Sequence, residues 1–177
     1  MLNLDTGDEN WPPETKPLGD ESWEREPFAE WWHRNEPLLK NLHPQVAEQW
    51  VYRHWEYTPY RCIPLHKLTW EETSWPTCRI LDDVASNLEF DSSFDFETFT
   101  GQDTNTGRPF ILCGTWDYPI VILATPAGFS NWGGRFPDAK HLLIEGHQRM
   151  RLLNAYYRLG KPMAQTHKLF VLALSDG

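Results

Sequence analysis

The amino-acid sequence predicts an α+β fold, in which helices pack on a small mixed β-sheet that follows a short helical subdomain. One observation is the order of apolar patterns, because helical spacing comes first and strand-like runs come later. A second is composition: with 40% hydrophobic and 14% aromatic residues among 177, the chain can fill a core. A third is the segment 141–159, where an apolar run, a glycine and an amphipathic stretch predict a strand followed by a helix.

Changes in composition divide the chain into three predicted parts. Residues 1–22 are rich in acidic residues, proline and glycine, which is typical of a flexible acidic tail with Trp11 as its lone anchor. Residues 23–61 are expected to form a helical N-terminal subdomain, with two or three short helices over 26–56. Residues 62–177 contain the strand-like runs and are predicted to form the sheet domain.

The upstream half of the sheet domain is predicted from proline, helix caps and helical spacing. The proline within residues 62–65 predicts a short extended segment at a sheet edge, because proline cannot donate to a strand ladder. Thr69 and Ser74 are candidate helix caps, and apolar spacing then predicts an amphipathic helix over 76–88. Phenylalanines alternate with acids over 89–107, which indicates an irregular or hairpin insertion.

The downstream half contains four apolar runs that predict strands. Two of them, over 109–113 and 119–124, are separated by a glycine-containing turn. The other two, over 140–144 and 167–174, flank an amphipathic helix predicted over 147–159. A glycine and a proline follow that helix and are expected to end it.

The net charge of −9 restricts the partners that the chain can attract. General electrostatic attraction to nucleic acid is not expected, whereas a basic protein partner is favoured. No segment reaches the ~18 apolar residues that a membrane-spanning helix requires, and the N-terminus has no secretory signal pattern. The sequence therefore predicts a soluble, cytoplasmic protein without membrane contact.

The three cysteines, Cys62, Cys78 and Cys113, are far apart in the sequence and odd in number. Their spacing indicates neither a disulfide framework nor a zinc site, so we expect three buried thiols in a reducing cytosol. The seven histidines also lack the spacing of a metal site, and no metal ligand is predicted.

The segment from His141 to Arg151 joins local geometry to chemistry. Gly146 lets the backbone approach a ligand, and the helix that follows presents unpaired N–H groups and the positive end of its dipole. Such a helix start favours an anion, and Arg149 offers a planar set of donors suited to phosphate oxygens. Asp117 is expected to lie close to this site.

Residues 143–151, preceded by the strand over 119–123, resemble the ParB/sulfiredoxin-like superfamily, in which a glycine turn after a strand opens a helix. The chain matches the glycine and both arginines of the ParB version of this motif. It departs from that version at His147, where ParB has Glu, and at Gln148, where ParB has Arg. Sulfiredoxin has its catalytic cysteine at the position of His147, so sulfinic-acid reduction is not expected. The resemblance covers about residues 62–174.

The resemblance implies a nucleotide-binding site in this turn. The residues that would line a phosphate are Gly146, His147, Gln148 and Arg149. Arg151 would lie near the rim, and Glu145 would hold Arg149 or a ribose hydroxyl, or pair with another basic side chain. The ligand implied is a nucleoside triphosphate such as CTP or ATP, with or without Mg²⁺, and the domain would act as a nucleotide-dependent switch or hydrolase.

Other functions stay open from the sequence. The acidic N-terminus and the clustered tryptophans also suit a protein-interaction module of the inhibitor or immunity type with a degenerate site. A DNA-associated role is the third reading, by analogy with ParB, although the net charge opposes it. The loop Gly128–Phe136 is either a mobile lid over the site or a hairpin packed by its aromatic side chains.

Overall fold

A five-stranded mixed sheet lies at the centre of the structure, a computed structural model that describes residues 1–19, 24–86, 88–101 and 104–175. A second sheet of three short strands and several helices accompany it within these residues. The predicted α+β class is therefore confirmed. None of the described helices is both long enough and apolar enough to cross a lipid bilayer.

The elements of secondary structure follow in chain order. The strands are β1 (Leu2–Asn3), β2 (Leu68–Pro76), β3 (Val84–Ala85), β4 (Ile120–Ala124), β5 (Phe129–Asn131), β6 (Gly134–Phe136), β7 (His141–Glu145) and β8 (Thr166–Leu174). The α-helices are α1 (Phe28–Leu39), α2 (Pro44–Val46), α3 (Thr77–Asp83), α4 (Ser92–Thr100), α5 (Gly107–Cys113) and α6 (His147–Arg158). Helix α2 continues into a π-helical segment, Ala47–Tyr52. Short 3₁₀ turns occupy Pro13–Thr15 and Leu65–Lys67.

The strands of the main sheet lie in the order β2-β8-β4-β7-β3. Strands β2 and β8 pair antiparallel along their whole length, from Leu68 opposite Leu174 to Pro76 opposite Thr166. Strand β4 lies in the centre, parallel to β8 and antiparallel to β7. Its residues 120–123 are inaccessible to solvent, because both faces of a central strand are covered.

Alternate residues of the central strands belong to two different hydrophobic cores. Val121 packs in the core that also contains Trp31 and Trp50 of the N-terminal helices. Ile122, the next residue, packs in the core that contains Leu153 of α6. Because successive side chains of a strand point to opposite faces, the two cores cover the two faces of the sheet. The N-terminal helices therefore share a core with the sheet.

Sequence patterns predict the buried strands and the amphipathic helices correctly. The strands predicted over 119–124, 140–144 and 167–174 are confirmed as β4, β7 and β8. The helix predicted over 147–159 is confirmed as α6. The short helices expected over 26–56 are α1 and α2 with its π-helical continuation. In each of these segments the spacing of apolar residues within a few positions is enough to predict whether it forms a strand or a helix.

The prediction for the segment before the first long strand is wrong. Residues 62–65 form no strand, because the chain turns at Cys62 and Leu65 begins a 3₁₀ turn. Thr69 and Ser74, the candidate helix caps, lie inside β2. The helix expected over 76–88 is the shorter α3, and β3 takes its last turn. Because β2 is an edge strand with mostly exposed side chains, it lacks the apolar alternation that marks a half-buried strand.

Two further segments predicted as an insertion and a strand are helices. The region 89–107 contains α4, and the apolar run 109–113 belongs to α5. Only Phe110 of that run is deeply buried, whereas Ile111 and Leu112 are 58% and 74% exposed. The central strand β4 already has β8 and β7 as its two neighbours, so no place beside it remains for this run.

The first nineteen residues pack against the rest of the chain, contrary to the flexible tail predicted for 1–22. Leu4 and Trp11 are buried, and β1 pairs with β5 in the small sheet. The indole nitrogen of Trp11 donates to the carbonyl oxygen of Ile63 at 3.1 Å, so Trp11 is one of several anchors. Residues 20–22 of the predicted tail lie outside the described residues.

All three thiols are free, but their predicted burial is wrong. Cys78 and Cys113 are exposed, and Cys62 is half-buried. Cys78 lies on the solvent side of α3, and Cys113 is the last residue of α5. Their helices bury Ile80 and Phe110 instead, since a short amphipathic helix covers only one face.

A buried histidine links β8 to two other elements. His167 is 1% exposed, and its Nε2 and Nδ1 lie 2.9 and 2.8 Å from the hydroxyl oxygens of Thr77 and Thr115. Burial lowers the pKa of His167 to about 4, because a charged imidazole would lose its hydration there. The ring is therefore neutral near pH 7 and holds α3 and the segment before β4 on the sheet.

We expect the stability of the protein to fall between pH 6.5 and about 4. In this window the unfolded His167, with its ordinary pKa of 6.5, binds a proton that the folded protein excludes. The free energy of unfolding should decrease by about 3 kcal/mol on this account. Urea unfolding of the wild type and of His167→Gln measures it, with the exposed His33→Gln as control. Equal pH slopes in wild type and His167→Gln would contradict this assignment.

Candidate functional site

A cleft of about 640 Å³ lies where β7 ends and α6 begins. Its walls come from the π-helical region, the turn before α5, the segment before β4 and the turn between β7 and α6. The residues that line it are Gln49, Arg53, His54, Asn105, Thr106, Trp116, Asp117, Tyr118, Glu145, Gly146, His147, Gln148 and Arg149.

Five of the six residues predicted from the glycine-turn motif meet in this cleft, from Glu145 to Arg149. The sixth, Arg151, points elsewhere: its Nη2 lies 2.6 Å from Oδ1 of Asp95, a fully buried residue of α4. This ion pair fastens α4 to α6 and does not line the cleft. Asp117 lines the cleft, as the sequence predicts.

Gly146 shapes the turn at the bottom of the cleft. Its φ of +103° is a conformation that residues with a side chain rarely adopt. A Cβ atom at this position would also lie 2.5 Å from Cγ2 of Ile120. No side chain caps the start of α6, so the backbone N–H groups of its first turn have no side-chain acceptor, and the positive end of the helix dipole lies among residues that line the cleft.

Arg149 is a cross-link between three parts of the chain. Its Nη1 donates to the carbonyl oxygens of Tyr118 and Pro119 at 2.5 and 3.1 Å. Its Nη2 donates to Oε1 of Gln49 at 2.9 Å and lies 3.6 Å from Oε1 of Glu145. Burial lowers the pKa of Arg149, and the Glu145 carboxylate opposes that shift. Most of its donors are thus occupied by the protein.

Glu145 lies between Arg149 and two histidines. Its Oε2 is 3.3 Å from Nε2 of His54, in addition to the contact of its Oε1 with Arg149. The pKa of His147 is lowered mainly by burial, with further lowering from His54 and Arg149, while Glu145 raises it. The cleft therefore holds a neutral His147 beside an acid–histidine pair.

The π-helical region supplies cleft residues that the sequence patterns did not reveal. Gln49 is 2% exposed, and its Nε2 has no hydrogen-bond partner among the described residues. Arg53, which follows the π-helix, has 58% of its side chain exposed and lies 3.7 Å from Glu48. The hydroxyl of Tyr118 also donates to Glu48. A π-helical turn is a local signal of a functional site, but it is visible only in coordinates.

The loop Gly128–Phe136 forms a hairpin of β5 and β6 that pairs with β1. Phe129 and Phe136 stack with ring centroids 4.9 Å apart, which agrees with the packed-hairpin reading. Trp132 at the tip is 92% exposed and, like Arg135, does not line the cleft. The side chains of Phe129 and Phe136 therefore pack the two strands of the hairpin against each other.

Comparison of this chain with protein-family models, curated proteins and solved structures finds no match. The resemblance to the ParB/sulfiredoxin-like superfamily therefore stays a prediction from residues 143–151. Within the described ranges, no group of three or more His, Cys, Asp and Glu residues is arranged to hold a metal ion.

Replacing Gly146 by Ala is expected to destabilise the protein by about 2–4 kcal/mol, because backbone strain and a clash with Ile120 add together. Gly134→Ala is the matched control, since Gly134 has a φ of +130° but open space around its Cβ position. Thermal and urea unfolding measure both variants. Equal destabilisation of the two would show that the close packing under the turn contributes nothing.

Proposed function

We propose that this chain binds the phosphate group of a nucleotide in the cleft at the start of α6. The observation that carries the proposal is the uncapped first turn of α6, presented to the cleft by Gly146. Backbone N–H groups at a helix start, with the positive end of the dipole behind them, form an anion site. The left-handed backbone of Gly146 permits the sharp turn that brings this helix start to the cleft.

Gln49 supports an anionic ligand independently of the helix. Its Oε1 accepts from Arg149, which fixes the amide so that Nε2 remains as an additional donor. That buried Nε2 has no acceptor among the described residues, and an unpaired buried donor is costly. An oxygen of a ligand in the cleft that Gln49 lines would satisfy it.

The rest of the cleft suits the other parts of a nucleotide. A volume of about 640 Å³ lies within the usual range of small-molecule sites. Asn105 and Thr106 form another part of the cleft wall and offer amide and hydroxyl groups for a base or sugar. Gln148 is held toward this wall by the hydroxyl of Thr106, which lies 3.2 Å from its Oε1.

A second candidate function, binding of a basic protein partner, is favoured by Trp132. Its side chain is 92% exposed beside a depression of about 280 Å³ that Leu4 and Tyr60 also line. Exposed tryptophans are frequent anchors of protein interfaces, and a net charge of −9 attracts basic partners. If the wild type and the Trp132→Ser variant capture a basic protein equally well, Trp132 is not the anchor of that interface.

Calorimetric titration tests the nucleotide proposal. CTP, ATP, CMP, AMP and inorganic phosphate are titrated into the protein with and without Mg²⁺. We expect at least one nucleotide to bind, and Arg53→Ala to weaken it by about tenfold, because a cation at the cleft wall is lost. Arg53 is suited to this test since its side chain is largely exposed and its removal spares the cross-link of Arg149.

The matched control for Arg53→Ala is Arg79→Ala on α3. Arg79 also pairs with a carboxylate, that of Asp83 at 3.4 Å, but it does not line the cleft. Its removal changes net charge by the same amount and is expected to leave the dissociation constant unchanged. The absence of binding heat for every ligand in the panel would refute the proposed function.

A further inference from the structure

We propose that the cleft hydrolyses a phosphodiester bond of its ligand, with His54 as the general base and Glu145 as its positioning residue. The proposal rests on the proposed function, because the start of α6 would hold the phosphate that reacts. It is carried by a contact between distant parts of the chain: Nε2 of His54 lies 3.3 Å from Oε2 of Glu145 at the edge of the cleft.

The contact with Glu145 decides which nitrogen of His54 can act as a base. A carboxylate accepts hydrogen bonds, so in the neutral imidazole it keeps the proton on Nε2 and leaves the lone pair on Nδ1. The His54 side chain is 43% exposed, which gives water access to the ring. Glu145 is itself held by Arg149 at 3.6 Å, so the carboxylate has a defined position.

The fully charged groups of the cleft indicate the class of substrate. Arg53 and Arg149 are positive, Asp117 and Glu145 are negative, and their charges cancel. A phosphodiester carries a single negative charge, which the amides of α6 and the guanidinium of Arg53 can match without a metal ion. A nucleoside triphosphate carries several charges and would need a cation such as Mg²⁺ to accompany it. The cleft therefore suits a diester better.

The remaining neighbours of the reaction centre fit a singly charged phosphate. His147, on the first turn of α6, is kept neutral by burial and adds no positive charge beside the phosphate. Glu48, outside the cleft wall, lies 3.7 Å from Arg53 and reduces the positive field further. The groups that bind the phosphate are thus the amides of α6, the guanidinium of Arg53 and the side-chain donor of Gln49.

The proposed step consumes one water molecule. Nδ1 of His54 takes a proton from water as the water oxygen forms a bond to phosphorus and the bond from phosphorus to one ester oxygen breaks. The imidazolium then gives that proton to the departing oxygen. The products are a phosphomonoester and an alcohol, and no oxidation or reduction occurs.

Spectrophotometric assays with bis(4-nitrophenyl) phosphate, a diester, and 4-nitrophenyl phosphate, a monoester, test the proposal. We expect the wild type to cleave the diester, and His54→Ala to lose about 100-fold or more of kcat. Added imidazole should restore part of the lost rate, which a purely structural role of His54 would not allow. The control is His33→Ala. His33 is an exposed histidine of α1, and its replacement should leave kcat unchanged.

The Glu145→Gln variant tests the positioning role. It keeps the size of the side chain and removes the charge, so we expect kcat to fall while the binding of CMP, measured by calorimetry, is not weakened. Diester cleavage at the wild-type rate by His54→Ala would overturn the inference. A wild type that binds CMP and cleaves no diester would also overturn it, yet leave the proposed function intact. The proposed function fails only if no phosphate ligand binds.

Discussion

The guanidinium of Arg149 is the interaction on which the rest of the cleft depends. It joins the start of α6 to the backbone before β4 and to Gln49 of the π-helical segment, which is 100 residues away in sequence. Hydrogen bonds from a charged donor to carbonyl oxygens in a buried setting are strong and are costly to leave unmade. The π-helical segment and the sheet are thus held together beside the cleft that they line.

This use of Arg149 changes how the cleft can bind an anion. The sequence motif suggested that its guanidinium would contact phosphate directly, but four of its contacts are to the protein itself. Its role in the structure is to orient Gln49 and Glu145, which in turn place a donor and an acid–histidine pair at the cleft. In the proposed anion site, direct contact with the ligand would then fall to the amides of α6 and to Arg53.

Some elements of the fold follow from the local sequence pattern, whereas others depend on tertiary contacts. Strand β4 is predicted correctly because its apolar run is inaccessible on both faces, which any central strand requires. The run in α5 has a similar composition, yet it is helical and leaves Leu112 exposed, because β4 already has two partners. The edge strand β2 shows the opposite case, since nine residues pair with β8 although few of their side chains are buried.

Sequence alone determined the α+β class, the central strands, helix α6 and the group of five cleft residues from Glu145 to Arg149, because each depends on neighbours within a few positions. The pairing of Glu145 with Arg149 also follows from their spacing along the turn. Two features became visible only in three dimensions: Gln49, Arg53 and His54 complete the cleft, and Arg151 binds Asp95 instead. Such contacts depend on how helices dock on the sheet, and local periodicity carries no information about that docking.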